Sequence, residues 1–154
     1  MNNIREWKTM LIPYEQAVEE LKVKLKSLRN EFRELNEYSP IEFITGRVKK
    51  ISSIIEKARR RDIPMDHVED MMEDIAGLRI MCQFNDDIYR VVDLIRQRDG
   101  SDLKIVYEKD YVEHAKDSGY RSYHMIIRYP VQTAFGRRDV LEIGRASCRV
   151  RVYI

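Results

Sequence analysis

Ala17, Leu21, Leu25, Leu28, Phe32 and Leu35 recur at steps of four, four, three, four and three. That spacing lays one apolar stripe along a single long helix. Pro13 suits its first turn, where a missing amide hydrogen costs nothing. Ser39-Pro40 closes it, because a residue before proline is pushed out of the helical region. The rest of the chain reads as shorter pieces. Ile41–Val48 has β-rich character, and Lys50–Arg61 is helical with Ile51, Ile54, Ile55 and Ala58 facing in. Pro64 breaks the chain, and Asp66 is placed to cap a short helix through Met72. Leu78–Phe84 is a short apolar run of the kind a buried strand uses. Asp86–Arg98 is a further helix, with Ile88, Val91, Val92 and Ile95 inward.

Leu103–Tyr107, Ser122–Tyr129 and Asp139–Ile143 read as strands, the last two joined through a loop with Gly136. Helices and strands mix without a strict βαβ repeat. The expectation is an α+β domain, with a mixed β-sheet of about five strands flanked by helices. A chain of 154 residues fits one such domain.

Composition excludes several classes. No apolar run approaches the roughly 18 residues that span a bilayer. The residues around Trp7 are charged (Arg5, Glu6, Lys8) and lack the apolar core of a signal peptide. Two cysteines build no disulfide framework, so a cytoplasmic location is expected. The net charge of +2 hides an asymmetry. Residues 144–154 hold Arg145, Arg149 and Arg151 and no acid, so removing those three charges leaves residues 1–143 at −1. Any anion site must therefore come from local clustering and not from bulk charge.

Five clusters carry candidate chemistry. Arg47, Lys49, Ser53, Lys57, Arg59, Arg60 and Arg61 crowd one strand–helix unit, with Ser53, Lys57 and Arg60 or Arg61 on one helix face. A triphosphate would neutralise them, although a solvated basic helix end reads equally well. Asp74 precedes an apolar strand and is a natural magnesium ligand, magnesium being a hard ion that prefers oxygen. Arg79 lies five residues on, so a regular strand would send the two to opposite faces unless Gly77 hosts a bulge. A capping aspartate and a structural ion pair is the plainer reading.

In the third cluster Gly119 allows close approach of backbone to ligand, Tyr120 offers a ring for a purine, and Lys116, Arg121 and His124 could meet phosphates. A polar loop with one satisfied histidine is the alternative. Glu142, set between apolar neighbours, is a second acid able to share a metal or take a proton, or an edge-strand glutamate facing water. Lys22, Lys26, Arg29 and Arg33 form a basic stripe on the long helix, readable as an effector or RNA surface or as a solvated face. His67, His114 and His124 lack metal-ligand spacing.

Taken together, Gly46-Arg47-Val48-Lys49, Glu73-Asp74-Ile75-Ala76-Gly77-Leu78-Arg79 and Gly119-Tyr120-Arg121-Ser122-Tyr123-His124 resemble the synthetase domain of RelA/SpoT-like alarmone enzymes, especially the small stand-alone synthetases. The resemblance implies a nucleotidyltransferase-like fold. It implies transfer of pyrophosphate from ATP to the ribose 3′-hydroxyl of GTP or GDP, making (p)ppGpp. Arg47 and Arg79 would flank the adenine, and Lys49, Ser53, Lys57 and Arg60 would contact the ATP phosphates. Asp74 would hold Mg2+. Tyr120 would stack on the guanine, with Lys116, Arg121 and His124 near the acceptor phosphates. Glu142 matches the glutamate that opens the family's Glu-x-Gln-x-Arg motif, and would share the metal and serve as base.

Lys22, Lys26, Arg29, Glu42 and Thr45 resemble the family's allosteric alarmone site, which lies between subunits of a homotetramer. No histidine here is followed by Asp, so alarmone hydrolysis is not expected. The competing expectation is a catalytically inactive regulator on the same fold that binds nucleotide or single-stranded RNA. The resemblance stops at Ile143. Gly144-Arg145-Ala146-Ser147-Cys148-Arg149 reads like a translated sequencing adapter, so residues 144–154 are expected to be a non-native tail on a domain that spans 1–143.

Overall fold

The structure, a computed structural model, describes residues 4–113 and 121–148. The element order is α1 (Ile4–Glu34), β1 (Phe43–Val48), α2 (Ile51–Arg60), a 3-10 turn (Met65–His67), α3 (Val68–Met71), β2 (Ala76–Cys82), α4 (Asn85–Arg96), β3 (Lys104–Asp110), β4 (Ser122–Thr133) and β5 (Gly136–Cys148). The five strands form one mixed sheet in the order β1-β2-β5-β4-β3. Strand β2 runs parallel to β5, and the other neighbouring pairs are antiparallel. The α+β expectation with about five strands therefore holds.

Helix α1 starts nine residues before Pro13, which lies inside it. The reason is burial. Trp7, Met10, Leu11 and Tyr14 extend the apolar stripe backward and are 2–7% exposed. Removing that area from water offsets the roughly 3 kcal/mol that an interior proline costs. The other end fails to bury: Leu25 is 5% exposed but Leu35 is 70% exposed, so the last turns of α1 run clear of the core.

Helices α1 and α4 pack on the sheet. Strand alternation identifies the face they cover. Ile44, Leu78, Ile80, Met125, Ile127, Tyr129 and Val140 point there and join the core cluster with Ala17, Val18, Leu21, Val91 and Val92. Contact is closest at Gly46. A Cβ there would lie 2.6 Å from Val18 Cγ1 and 2.9 Å from Leu78 Cδ2. Glycine is required at this position to seat α1 on β1. Gly46→Ala is expected to destabilise the fold by about 1–3 kcal/mol, as overpacking does; urea unfolding that shows no change would contradict this seating.

Two smaller expectations change. Asp66 makes no cap; Pro64 precedes the 3-10 turn without a side-chain cap. Gly77 hosts no bulge, since β2 pairs in continuous register with both neighbours. Residues Gly144–Cys148 continue β5 and pair with Leu78–Cys82.

Candidate functional site

The face of the sheet opposite α1 and α4 carries the charge. Pairing aligns Thr45, Arg79, Arg145, His124 and Lys109 in one row across all five strands. Beside it on β1 and β2, Arg47 is level with Gly77. Thr45, Gly46, Arg47, Asp74, Gly77, Leu78, Arg79, Ile143 and Arg145 line a cleft of about 360 Å³.

Arg47 and Arg79 are diagonal neighbours on adjacent strands, a separation of about 7–8 Å. Both side chains end in planar guanidinium groups, which can stack on the face of a flat ring. Gly77, level with Arg47, adds no side chain to the slot. A Cβ at that position would press to 3.2 Å from Ile143 Cγ2.

Asp74 reaches the same cleft without a bulge. It stands outside β2, and the chain bends at Glu73 and Ile75 before the strand begins. Its Oδ2 accepts hydrogen bonds from Lys49 Nζ at 2.9 Å and Lys57 Nζ at 2.5 Å. Burial alone would raise its pKa. The two ammonium groups outweigh burial and hold the carboxyl at about 2. Lys57 is correspondingly shifted downward, by burial first and by the nearby charges of Lys49 and Arg61, against the pull of Asp74. The other oxygen, Oδ1, is buried and has no hydrogen-bond partner. Asp74 is therefore ionised and presents one unsatisfied acceptor.

Among the described residues, no cluster of three or more Asp, Glu, His or Cys side chains could hold a metal by itself. Magnesium does not require one. It is usually held by one or two carboxylates plus substrate phosphates and water. The orphaned Oδ1 fits that mode. Ser53, Lys57 and Arg60 share the face of α2 that Lys57 uses to reach Asp74.

Glu142 departs from the expectation. Its register partner is Ala76, which places it on the helix-covered face. It is 1% exposed, does not line the cleft, and both carboxyl oxygens are buried without a partner. Burial pushes its pKa up to about 8, and Tyr14 of α1 is a group that feels its charge. The structure does not bring Glu142 and Asp74 to one cation. The strand's alternation turns Ile143 toward the cleft and Glu142 away from it.

Other residues divide similarly. Thr45, grouped with the α1 cations by resemblance, lines the cleft beside Arg79. Lys22, Lys26 and Arg29 are on α1; Lys22 lies 3.7 Å from Glu19, and Arg29 Nη1 donates to the Glu42 carbonyl at 3.4 Å. Lys22 packs beside Thr45's neighbour: a Cβ at Gly46 would lie 3.2 Å from Lys22 Cδ. Arg121 Nη1 donates to the Val112 carbonyl at 2.9 Å, a bond between the two chain segments that flank residues 114–120. His124 packs edge-on against Tyr111, with ring centroids 4.8 Å apart. Lys116 and Tyr120 lie outside the described residues. Sequence reading missed Lys109 and Arg145 as members of the cationic row. Alternation within β3 could have flagged Lys109, but no local signal aligns it with His124.

With that geometry in view, comparison decides the family. The model for the region found in RelA / SpoT proteins matches residues 46–144, most of the chain. The chain belongs to the RelA/SpoT family. It is 53% identical over 137 residues to a GTP pyrophosphokinase, YjbM, of Bacillus subtilis (strain 168). That match covers 89% of this chain and 64% of the relative, so the chain spans less than two thirds of that protein.

Solved structures of two proteins share this fold. A GTP pyrophosphokinase family protein from Streptococcus pneumoniae superposes with a TM-score of 0.89 at 48% identity, covering 94% of this chain and 70% of the other. Small alarmone synthetase 1 from Bacillus subtilis, bound to its product pppGpp, superposes with a TM-score of 0.87 at 50% identity, covering 94% and 73%. The same synthetase bound to AMPCPP gives 0.79 at 46% identity, covering 94% and 71%. Among the described residues, no helix is long and apolar enough to cross a membrane.

Proposed function

We propose that this RelA/SpoT-family chain transfers pyrophosphate from ATP to the ribose 3′-hydroxyl of GTP or GDP, making (p)ppGpp. The observation that carries the proposal is the cleft. It holds an ionised Asp74 with one free oxygen, two lysines on its other oxygen, and a pair of arginines on adjacent strands whose guanidinium groups can stack on a flat base. Relatives bound to pppGpp and to the ATP analogue AMPCPP support the substrate classes.

In this reading the adenine stacks between Arg47 and Arg79. The triphosphate runs toward Lys49, Lys57, Ser53 and Arg60. The acceptor nucleotide approaches from the His124 and Lys109 side of the row, joined by Lys116 and Tyr120. Its 3′-oxygen forms a bond to the β-phosphorus as that phosphorus parts from the α-phosphate oxygen. AMP leaves, and the hydroxyl proton passes to solvent. Asp74 would hold Mg2+, which when bound neutralises phosphate charge. The side chains do what phosphoryl transfer demands: they align two nucleotides and meet developing negative charge with fixed cations. Lys22, Lys26, Arg29 and Glu42, on the helix side of β1, are proposed as a separate effector surface for (p)ppGpp, formed between subunits of a homotetramer.

Incubating the chain with ATP, GTP and magnesium and resolving the nucleotides by anion-exchange chromatography tests this. AMP and a guanosine carrying 3′-pyrophosphate should appear in equal amounts. Release of ADP, or no product at all, would overturn it.

A further inference from the structure

A hydrogen-bonded latch lies outside the cleft, where β3 ends. Asp110, the last residue of β3, uses both carboxylate oxygens. Its Oδ1 accepts the backbone N–H groups of Val112 at 2.8 Å and Glu113 at 3.0 Å, and its Oδ2 accepts the Tyr89 hydroxyl at 2.8 Å. Tyr89 belongs to α4, so the latch ties a loop to a helix packed on the far face of the sheet. The tyrosine is itself fixed, meeting Tyr123 edge-on at 6.3 Å. Nearby, Arg96 Nε and the Tyr123 hydroxyl both donate to Glu108 Oε1 at 3.0 Å.

Tyr111 sits between the two anchored points. Its backbone N–H donates to the Ser122 carbonyl at 2.8 Å, extending the β3–β4 ladder by one rung. Its ring then packs on the His124 imidazole. On the other side, Arg121 holds the Val112 carbonyl, and Val112 is 6% exposed. Asp110, Tyr111, Val112 and His124 are thus linked by a run of contacts, which the Tyr89–Asp110 bond ties to α4. The bonds to the Val112 and Glu113 amides are those of an Asx turn; the turn by itself does not require the further bond from Tyr89 on α4. Accuracy at His124 gives such a latch a use, because loss of about 1 Å in a substrate-positioning group is costly in rate.

We propose that Asp110, latched by Tyr89, is a positioning residue for the acceptor nucleotide. It orients Tyr111, and through that ring His124, on the acceptor side of the cationic row. It leaves the ATP side, built from β1, β2 and α2, untouched. This rests on the functional reading above, in which His124 faces the acceptor.

The test is steady-state synthesis of (p)ppGpp by Asp110→Ala and Tyr89→Phe, each nucleotide varied separately. Tyr89→Phe removes one hydroxyl and keeps the ring packing, so it serves if Asp110→Ala fails to fold. The expected result is a KM for GTP raised about tenfold in Asp110→Ala and about threefold in Tyr89→Phe, with the KM for ATP within twofold of the parent. Equal rises in both KM values would assign a general structural role and overturn the proposal, as would no rise in either. If the parent chain itself makes no product, the functional reading has failed. Amide exchange at Val112 and Glu113 then still judges the latch: it should quicken about tenfold in Tyr89→Phe, and unchanged exchange sinks it.

Discussion

Replacing Asp74 with asparagine should reduce the proposed alarmone synthesis about a thousandfold while leaving the fold intact. Asn keeps the shape of the side chain and one acceptor oxygen but removes the charge. Two ammonium groups then face each other across a neutral amide, where the ionised carboxylate had balanced both at 2.9 and 2.5 Å. Two consequences follow. The anionic oxygen proposed to hold magnesium is lost, and the lysines proposed to meet the triphosphate lose the group that orients them. Removing one preorganised electrostatic contact typically costs a hundred- to a thousandfold in rate, and here one substitution removes two. Circular dichroism and turnover, measured together at saturating ATP and GTP, check this. An Asp74→Asn variant within tenfold of the parent would end Asp74's claim to the centre of the site.

The same carboxylate has a stability signature of known sign. Its folded pKa, about 2, lies below the ordinary value of 3.8. The stabilisation it supplies is therefore complete above pH 4 and is lost as the pH falls toward 2.

Glu142 should produce the opposite dependence, and a larger one. Its folded pKa, about 8, lies well above the ordinary value of 4.5, because a fully buried carboxyl resists ionisation. Below pH 4.5 both folded and unfolded chains hold the proton, and Glu142 costs only its unpaired burial. Between pH 4.5 and 8 the unfolded chain ionises while the folded one does not, so stability falls throughout that window. Above pH 8 the loss is complete. A gap of this size corresponds to roughly 5 kcal/mol, a large share of the about 5–15 kcal/mol that holds a typical domain together.

Glu142→Gln removes the titration and nearly preserves the volume. Urea unfolding at pH 5, 6.5 and 8 should show the parent losing several kcal/mol relative to this variant. Parallel loss in both would mean that the carboxyl is ionised and solvated in the folded state, contrary to its burial. In this structure the residue is buried in the helix-covered layer, where desolvation raises its pKa to about 8.

Much of the architecture was legible locally. The stripe from Ala17 to Phe32, the inward faces of α2 and α4, and the five apolar strand segments all follow from side-chain periodicity within one element. The failures have a common origin in contacts between distant segments. Helix α1 continues past Pro13 because Trp7 and Met10 find a core to enter. Leu35 is exposed because the core ends before it.

The site divides along the same line. Resemblance to the family grouped Arg47, Lys49, Lys57, Asp74 and Arg79; spacing by itself left Arg47, Lys49 and Lys57 on one strand–helix unit and set Asp74 and Arg79 apart, with the 3-10 turn and α3 between α2 and β2. Which face of the sheet Glu142 occupies, that Thr45 lies beside Arg79, that Arg121 secures Val112, and that Lys109 and Arg145 fall in line with His124 were decided by the tertiary structure. A strand's side chains alternate with a period of two, so a one-residue change in register moves every side chain to the other face. That register is set by pairing between segments up to 66 residues apart, such as Ala76 with Glu142. Local composition settles what each segment becomes; only the assembled sheet settles which of its residues meet.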